Sequence, residues 1–236
     1  MRALSRNTRR VTALTLAAAL VIAVYLNWQY ARADITPQTE EDTLMVSAEP
    51  VEADAETTIT DARRQFEVNL FGLGRLTQLV IPHMRKAKKG RIINISSMGG
   101  KMYTPLGAWY HATKHALEGW SDCLRLELKP FGIDVVIIEP GIIKTEFADV
   151  MSGPMLQRSG VGPYGELARR VAKGAENGKA GGQGSAPDVI AALVSKAVHA
   201  RKPRTRYAGG FLAKPVMWLR IYLGDRFFDR MIMKAA

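Results

Sequence analysis

The 236-residue sequence holds a single cysteine, Cys123, and only four histidines. One thiol excludes an internal disulfide framework, so nothing in the fold depends on an oxidising compartment. Scarce imidazole argues against a histidine-built metal centre. His111 and His115 stand four residues apart, but no glutamate follows the first as a zinc-protease helix requires. Both are expected on the far face of their helix. Glycine is missing before Gly72, which leaves the first third of the chain without the residue that a phosphate-binding turn needs. Lys and Arg are missing between Asp34 and Asp61, and no charged residue occurs from Val11 to Ala31. No internal repeat is present.

Charge is plentiful elsewhere. Lys and Arg total 33 against 22 Asp and Glu, a formal net charge of +11. The excess sits in Arg2, Arg6, Arg9 and Arg10 and in the runs "RKAKKGR" and "RKPRTR". Such a balance suits an anionic membrane surface or nucleic acid. Aromatic residues do not interleave with the basic runs and no recognition motif accompanies them, so nucleic-acid binding is not expected.

The uncharged residues 11–31 would extend, as a helix at about 1.5 Å per residue, across a bilayer core of about 30 Å. Arginines precede this segment, and Tyr25, Trp28 and Tyr30 lie at its far end, the pattern of a single-pass anchor with its N-terminus in the cytoplasm. "ARA" at 31–33 also fits a signal-peptide cleavage site, and a buried soluble helix is a third alternative. Residues 34–60 are acidic, hold two prolines and few large apolar groups, and so read as a disordered linker. The expected domains are thus 1–33 as a membrane anchor or signal-like helix, 34–60 as linker and 61–236 as the folded body. If the anchor holds, the chain is a membrane protein; without it the body is cytoplasmic.

From Asp61 the apolar residues Phe66, Leu70, Leu73, Leu76, Val80 and Met84 recur at helical steps. Pro82 is expected to kink this helix and Gly90 to end it. "RIINIS" (91–96) and "DVVIIEP" (134–140) read as buried strands, separated by a helix that Pro130 and Gly132 terminate. "SAPDVIAALVSKAVHA" reads as a helix with Ser185 as its N-cap, Pro187 in its first turn and Ile190, Leu193, Val194 and Ala197 on one face. "TRYAGG" reads as a last short strand. "GVGPYG" (160–165) matches G-x-G-x-x-G by letter, but it follows no apolar strand and contains Pro163, so it is expected to be a loop. The fold class is α/β, a partial Rossmann-like parallel sheet flanked by helices.

The helix between the two strands carries Tyr110 and Lys114 at i and i+4 on one face. A phenol with a pKa of about 10 is a poor base at neutral pH, and an ammonium one turn away favours its ionised form. Ser97 closes a strand, so its hydroxyl can meet a ligand in the crevice beyond the strand's carboxyl end.

"FEVNLFG", "GRIINISSMGG", "YHATK" and "IIEPGIIKTEF" follow one another in the order and spacing of the short-chain dehydrogenase/reductase family, which residues 61–236 resemble. The resemblance implies an NAD- or NADP-dependent oxidoreductase that interconverts a secondary alcohol and a ketone as small-molecule substrate. It makes Tyr110 the general acid/base and, with Lys114, a cofactor-binding residue, Lys114 the group that lowers the Tyr110 pKa and holds the nicotinamide ribose, Ser97 the residue that orients substrate, and Asn69 the residue that positions a water in the proton relay. Pro140, Gly141, Ile143 and Thr145 would lie along the nicotinamide and pyrophosphate. Helices bearing Gly72, Gly74 and Trp120 would form a homo-oligomer surface. "KPRTRYAGG" and the apolar C-terminal tail resemble hydroxysteroid and retinol dehydrogenases, which implies an apolar substrate. The tail is expected to pack over the substrate pocket or a partner subunit, or else to rest on a membrane.

The family's glycine-rich turn and its "NNAG"-type stretch have no counterpart upstream of Asn69, and with them goes the residue that selects NAD or NADP. The expected strand at 91–96 would then keep an unpaired edge. A truncated or chimeric frame, a relic domain reused for binding, or an enzyme completed by a second polypeptide would each account for this, the first most simply. The N-terminal anchor and acidic tail resemble those of stage III sporulation AH proteins. That resemblance implies an alternative function, a membrane-anchored binding or structural protein without redox chemistry.

Overall fold

The computed structural model describes residues 56–236. The sequence expectations for 1–33 and most of 34–60 therefore lie outside the described residues. Among the described residues no helix is long and apolar enough to cross a membrane.

Helix α1 (Ile59–Phe66) begins at Thr58, whose hydroxyl oxygen accepts from the Asp61 backbone N–H at 3.1 Å while its O–H donates to the Asp61 carboxylate at 2.8 Å. This local exchange satisfies a donor that the first helical turn leaves without a partner. A π-helical turn, Glu67–Gly72, follows and leads directly into α2 (Leu73–Lys86). Helix α2 runs on through Pro82 and stops at Lys86, short of the expected Gly90, where Lys88 takes φ 48° and Lys89 N–H donates to Met84 O.

Strand β1 (Gly90–Ile95), helix α3 (Ala108–Leu128) and strand β2 (Ile133–Pro140) come next. A 3-10 turn, Lys129–Phe131, and Gly132 at φ 71° close α3, as Pro130 and Gly132 led one to expect. Helices α4 (Phe147–Ser159), α5 (Gly165–Ala180) and α6 (Asp188–His199), strand β3 (Arg206–Gly209), and helices α7 (Ala213–Leu223) and α8 (Asp225–Ala235) complete the order. Residues 160–164 of the "GVGPYG" stretch are turn, as expected.

The three strands are parallel in the order β1-β2-β3, with Ile93 opposite Val136 and Ile138 opposite Tyr207. Among the described residues β1 is paired on one side only. Alternation along β2 divides the core. Val135 packs with Ile92, Leu124, Leu128 and Ile133 on the α3 side, while Val136 and Ile138 pack with Ala197 and Tyr207 on the α6 side. The expected α6 face of Ile190, Leu193, Val194 and Ala197 is the face that meets the sheet. Arg91 locks the two layers: its guanidinium pairs with Asp134, its register partner, at 2.8 Å and donates to the α6 carbonyls of Ala197 and Val198 at 2.6 Å each. A cation at the last carbonyls of a helix is favourably placed.

Two expectations fail. Ser185 does not cap α6. Its backbone pairs in both directions with the strand-like segment after β2, donating to Ile142 O and accepting from Lys144 N–H, so Pro187 stands at the cap position instead. Leu76 does not join the core stripe of its helix and is 64% exposed, while Leu73, Val80 and Met84 of the same stripe are partly buried.

Candidate active site

The turn after β1 sets the first side chain. Ser96 N–H still donates to Ile138 O, continuing the ladder, and Ser97 then caps a short 3-10 turn, Met98–Gly100, by accepting from Gly99 N–H at 3.0 Å. A hydroxyl oxygen that accepts from the backbone keeps its own O–H to donate elsewhere. The two glycines let this turn approach α3 closely. A Cβ on Gly99 would stand 3.0 Å from the His111 ring and 3.2 Å from the Tyr110 ring, and one on Gly100 would stand 2.9 Å from the Glu118 side chain. The glycines that follow Ser97 thus keep its turn tight against the helix turn that carries Tyr110.

On α3 the Tyr110 ring packs edge-on against His111, centroids 5.6 Å apart, and tilted against Phe147 at 5.7 Å. The Lys114 ammonium lies 5.8 Å from the Tyr110 ring centroid and donates to Ile95 O, at the end of β1, at 3.3 Å. Burial pushes the Lys114 pKa below its ordinary value of 10.5. The unfolded chain therefore binds more protons than the folded chain in the window just below 10.5, and stability rises with pH there. Lys114→Met should raise stability at neutral pH, by removing a half-buried charge, and should flatten that rise. Urea titrations at pH 7 and pH 10 check both.

Asn69 reaches the same helix from the π turn. Its side-chain amide donates to Thr113 Oγ1 at 3.2 Å, and the fully buried Thr113 hydroxyl donates to Tyr110 O at 2.8 Å. π turns recur at functional positions because the extra residue re-aims a side chain. Here the redirected one is an amide tied to the Tyr110 turn.

His111 departs from expectation. It faces the Ser97 turn rather than the far side of α3, is buried, and receives Thr104 N–H on Nε2 at 3.0 Å, which makes Nδ1 the protonated nitrogen that donates to Gly99 O at 2.8 Å. His115 is exposed, with Nδ1 on His111 O. Among the described residues no group of three potential metal ligands gathers. The sequence signal that would have placed His111 is its flanking by Gly99 and Gly107, both within contact of its ring.

The segment after β2 forms a second wall. Pro140, Ile143 and Thr145 line an apolar cavity of about 660 Å³ together with Ile190, Ala191 and Val194 of α6. Gly141 sits against Phe211 and Ala213 instead. A Cβ there would stand 2.3 Å from Phe211 O, so this position admits glycine alone without backbone movement. Thr145 Oγ1 accepts from Phe147 N–H at 3.3 Å and starts α4, which brings Phe147 to Tyr110. Ser97, Tyr110 and Lys114 do not line this cavity. The eight expected positions therefore fall into two groups, Asn69–Ser97–Tyr110–Lys114 around the α3 turn and Pro140–Gly141–Ile143–Thr145 along the loop after β2.

These residues fit the nicotinamide end of a dinucleotide. The half-buried Lys114 ammonium has three donors, suited to a ribose diol, and the Pro140–Thr145 wall is apolar. They do not provide for the pyrophosphate, since no glycine precedes Gly72.

Comparison with known proteins agrees with this geometry. Residues 42–153 match the short chain dehydrogenase family. The chain is 34% identical over 178 residues to the oxidoreductase YbbO of Escherichia coli, an alignment that covers 75% of this chain and 61% of that protein. It is 45% identical over 92 residues to the 3-ketodihydrosphingosine reductase of Bacteroides thetaiotaomicron, covering 39% of this chain and 34% of that one. The crystal structure of a short-chain dehydrogenase from Streptomyces avermitilis superposes with a TM-score of 0.54 at 29% identity, over 79% of this chain and 67% of that one. With its parallel sheet, its Tyr110–Lys114 helix and the Ser97 turn in that family's order, the chain belongs to the short-chain dehydrogenase/reductase family.

Proposed function

We propose that the chain supplies the catalytic and substrate-binding portion of an NAD(P)-dependent oxidoreductase that interconverts a secondary alcohol and a ketone. The observation that carries this is Lys114, anchored on the last carbonyl of β1 and lying beside the Tyr110 ring across from the Ser97 turn. In the reducing direction Ser97 donates its O–H to the carbonyl oxygen, which strengthens as charge develops there. Tyr110 hands its phenolic proton to that oxygen. The Lys114 charge stabilises the phenolate left behind. Asn69 holds the Tyr110 turn through Thr113 and keeps an amide oxygen for a relay water. The nicotinamide, when bound, exchanges hydride with the carbinol carbon; Lys114 would hold its ribose, and Pro140, Gly141, Ile143 and Thr145 would flank its ring.

An apolar substrate is favoured by Phe147 beside Tyr110 and by the likeness to a 3-ketodihydrosphingosine reductase. A homo-oligomer is favoured by Phe71, Leu79 and Leu126, all more than half exposed on the π turn, α2 and α3. Gly74 and Trp120 contribute differently, since a Cβ on Gly74 would meet the Trp120 ring of the same chain at 3.9 Å.

A truncated or chimeric origin fits the missing pyrophosphate turn. These residues should bind NADH or NADPH no better than about millimolar, because a dinucleotide held at one end forgoes the helix N-terminus and glycine turn that bind its phosphates. Titration of the full chain followed by nicotinamide fluorescence measures this. Micromolar affinity would mean that another part of the chain supplies the cradle. Turnover of a ketone panel at millimolar NADPH tests the reaction itself, and a chain inert at saturation would sink the redox reading.

A further inference from the structure

The last two helices turn an unusual surface outward. On α7, Ala213 and Met217 are buried against the body, while Trp218, Ile221 and Tyr222 are 54%, 59% and 68% exposed. Lys214, Trp218, Ile221 and Tyr222 fall at i, i+4, i+7 and i+8, a single stripe. The Trp218 and Tyr222 rings lie 5.3 Å apart and form one aromatic plate. On α8, Phe228 is fully buried, and the opposite face presents Phe227 and Met233 beside Arg226, Arg230 and Lys234.

The charges on this helix pair are sorted. Both of its carboxylates are engaged: Asp225 pairs with Arg220 at 2.7 Å, and Asp229 accepts from Tyr103 O–H at 2.8 Å. Tyr103 also packs edge-on against Phe228 at 5.3 Å with the Arg220 guanidinium 5.0 Å over its ring. These contacts fasten the pair to the loop that follows the Ser97 turn. Lys214, Arg226, Arg230 and Lys234 have no carboxylate partner among the described residues. The outward face is therefore aromatic and aliphatic residues studded with cations.

A second copy is a poor occupant for that face. A symmetric contact would set the same cationic row against itself, and like charges brought together oppose association. An anionic bilayer satisfies both features, since Trp and Tyr settle at the headgroup level and Lys and Arg are drawn to the negative surface. We propose that α7 and α8 form a peripheral docking surface for membranes rich in anionic lipid. This holds whether or not the chain turns over a ketone.

The test is hydrogen exchange resolved by peptide on the full chain, with vesicles of three parts phosphatidylcholine to one part phosphatidylglycerol and with vesicles of phosphatidylcholine alone. Local resolution is needed because residues 11–31 could by themselves bring the chain to a bilayer. Amides of Ala213–Ala235 should exchange several-fold more slowly with the anionic vesicles and little differently with the neutral ones. Each cation near the surface is worth about fivefold in partitioning, so R226Q/R230Q/K234Q should weaken vesicle binding through this face by about a hundredfold and return exchange to its lipid-free rate. W218S/Y222S should abolish the protection, with circular dichroism unchanged in both variants. Unaltered exchange in this segment, with the chain bound to vesicles or not, overturns the proposal. Protection that grows with protein concentration in the absence of lipid also overturns it and assigns the face to a second copy.

Discussion

Replacing Tyr110 by Phe is expected to lower kcat for ketone reduction by about a hundredfold to ten-thousandfold, the range that a positioned proton donor contributes. The substitution removes one O–H and leaves the ring. Its packing on His111 and Phe147 depends on the ring alone, so far-UV circular dichroism should hold. Cofactor affinity should also hold, since in the proposed site the ribose is bound by Lys114. Initial rates at saturating NADPH, compared with a denaturation curve of the same variant, separate chemistry from folding. A variant whose kcat stays within threefold would take proton transfer away from Tyr110. Lys114→Met gives a complementary result. With the ammonium gone the phenol should ionise less readily, so the acid limb of alcohol oxidation, where activity rises as the phenolate forms, should move to higher pH.

Much of this arrangement is legible in the sequence because its determinants are local. The strands fall within one residue of the ranges that apolar runs indicate, since a buried parallel strand needs consecutive apolar residues and "RIINIS" and "DVVIIEP" supply them. Gly132 at φ 71° marks the end of α3 for a purely local steric reason. Tyr110 and Lys114 share a face by helical spacing alone.

What the sequence hides is decided by contacts between distant segments. The π turn at Glu67–Gly72 has no composition that marks it, and Leu76, which periodicity places inside, is exposed. Pro82 forfeits one backbone hydrogen bond, yet the helix continues to Lys86 with Ile81 and Met84 held on the core. Ser185 looks like a cap until the strand-like pairing with Ile142 and Lys144 claims its backbone. His111, four residues before another histidine, is occupied by Gly99 and Thr104 rather than by a metal or solvent.

Arg206→Met should destabilise the fold by about 3 kcal/mol or more, the cost of leaving a buried charge without its partner. The sequence places Arg206 in an ordinary basic run, but its guanidinium donates to Glu118 at 3.0 Å and Asp122 at 2.7 Å on α3, and lies 3.4 Å from Glu139 on β2. Glu118 and Glu139 are nearly fully buried, and Lys101, 3.0 Å from Glu118, is their other cation. The cluster ties β3 and β2 to the helix that carries Tyr110. Methionine keeps the aliphatic stem and removes the charge. The effect should depend on pH in a direction the site dictates. The Arg206 hydrogen bond holds the Asp122 carboxyl below its usual range, a stabilisation present above pH 3.8 and lost on acidification. Burial and the neighbouring Glu118 push Glu139 up, so the folded chain binds more protons than the unfolded one above pH 4.5 and loses stability as pH rises through that shifted value. Without Arg206 this loss grows. The variant should therefore fall furthest behind the parent at pH 7–8 and draw closer as the carboxylates protonate towards pH 4. Adding Glu118→Gln should recover part of the deficit, and a double-mutant cycle by urea denaturation at pH 4.5 and pH 8 measures the coupling. If the single variant loses the same amount at both pH values, packing of the arginine stem, not its charge, holds β3 against α3.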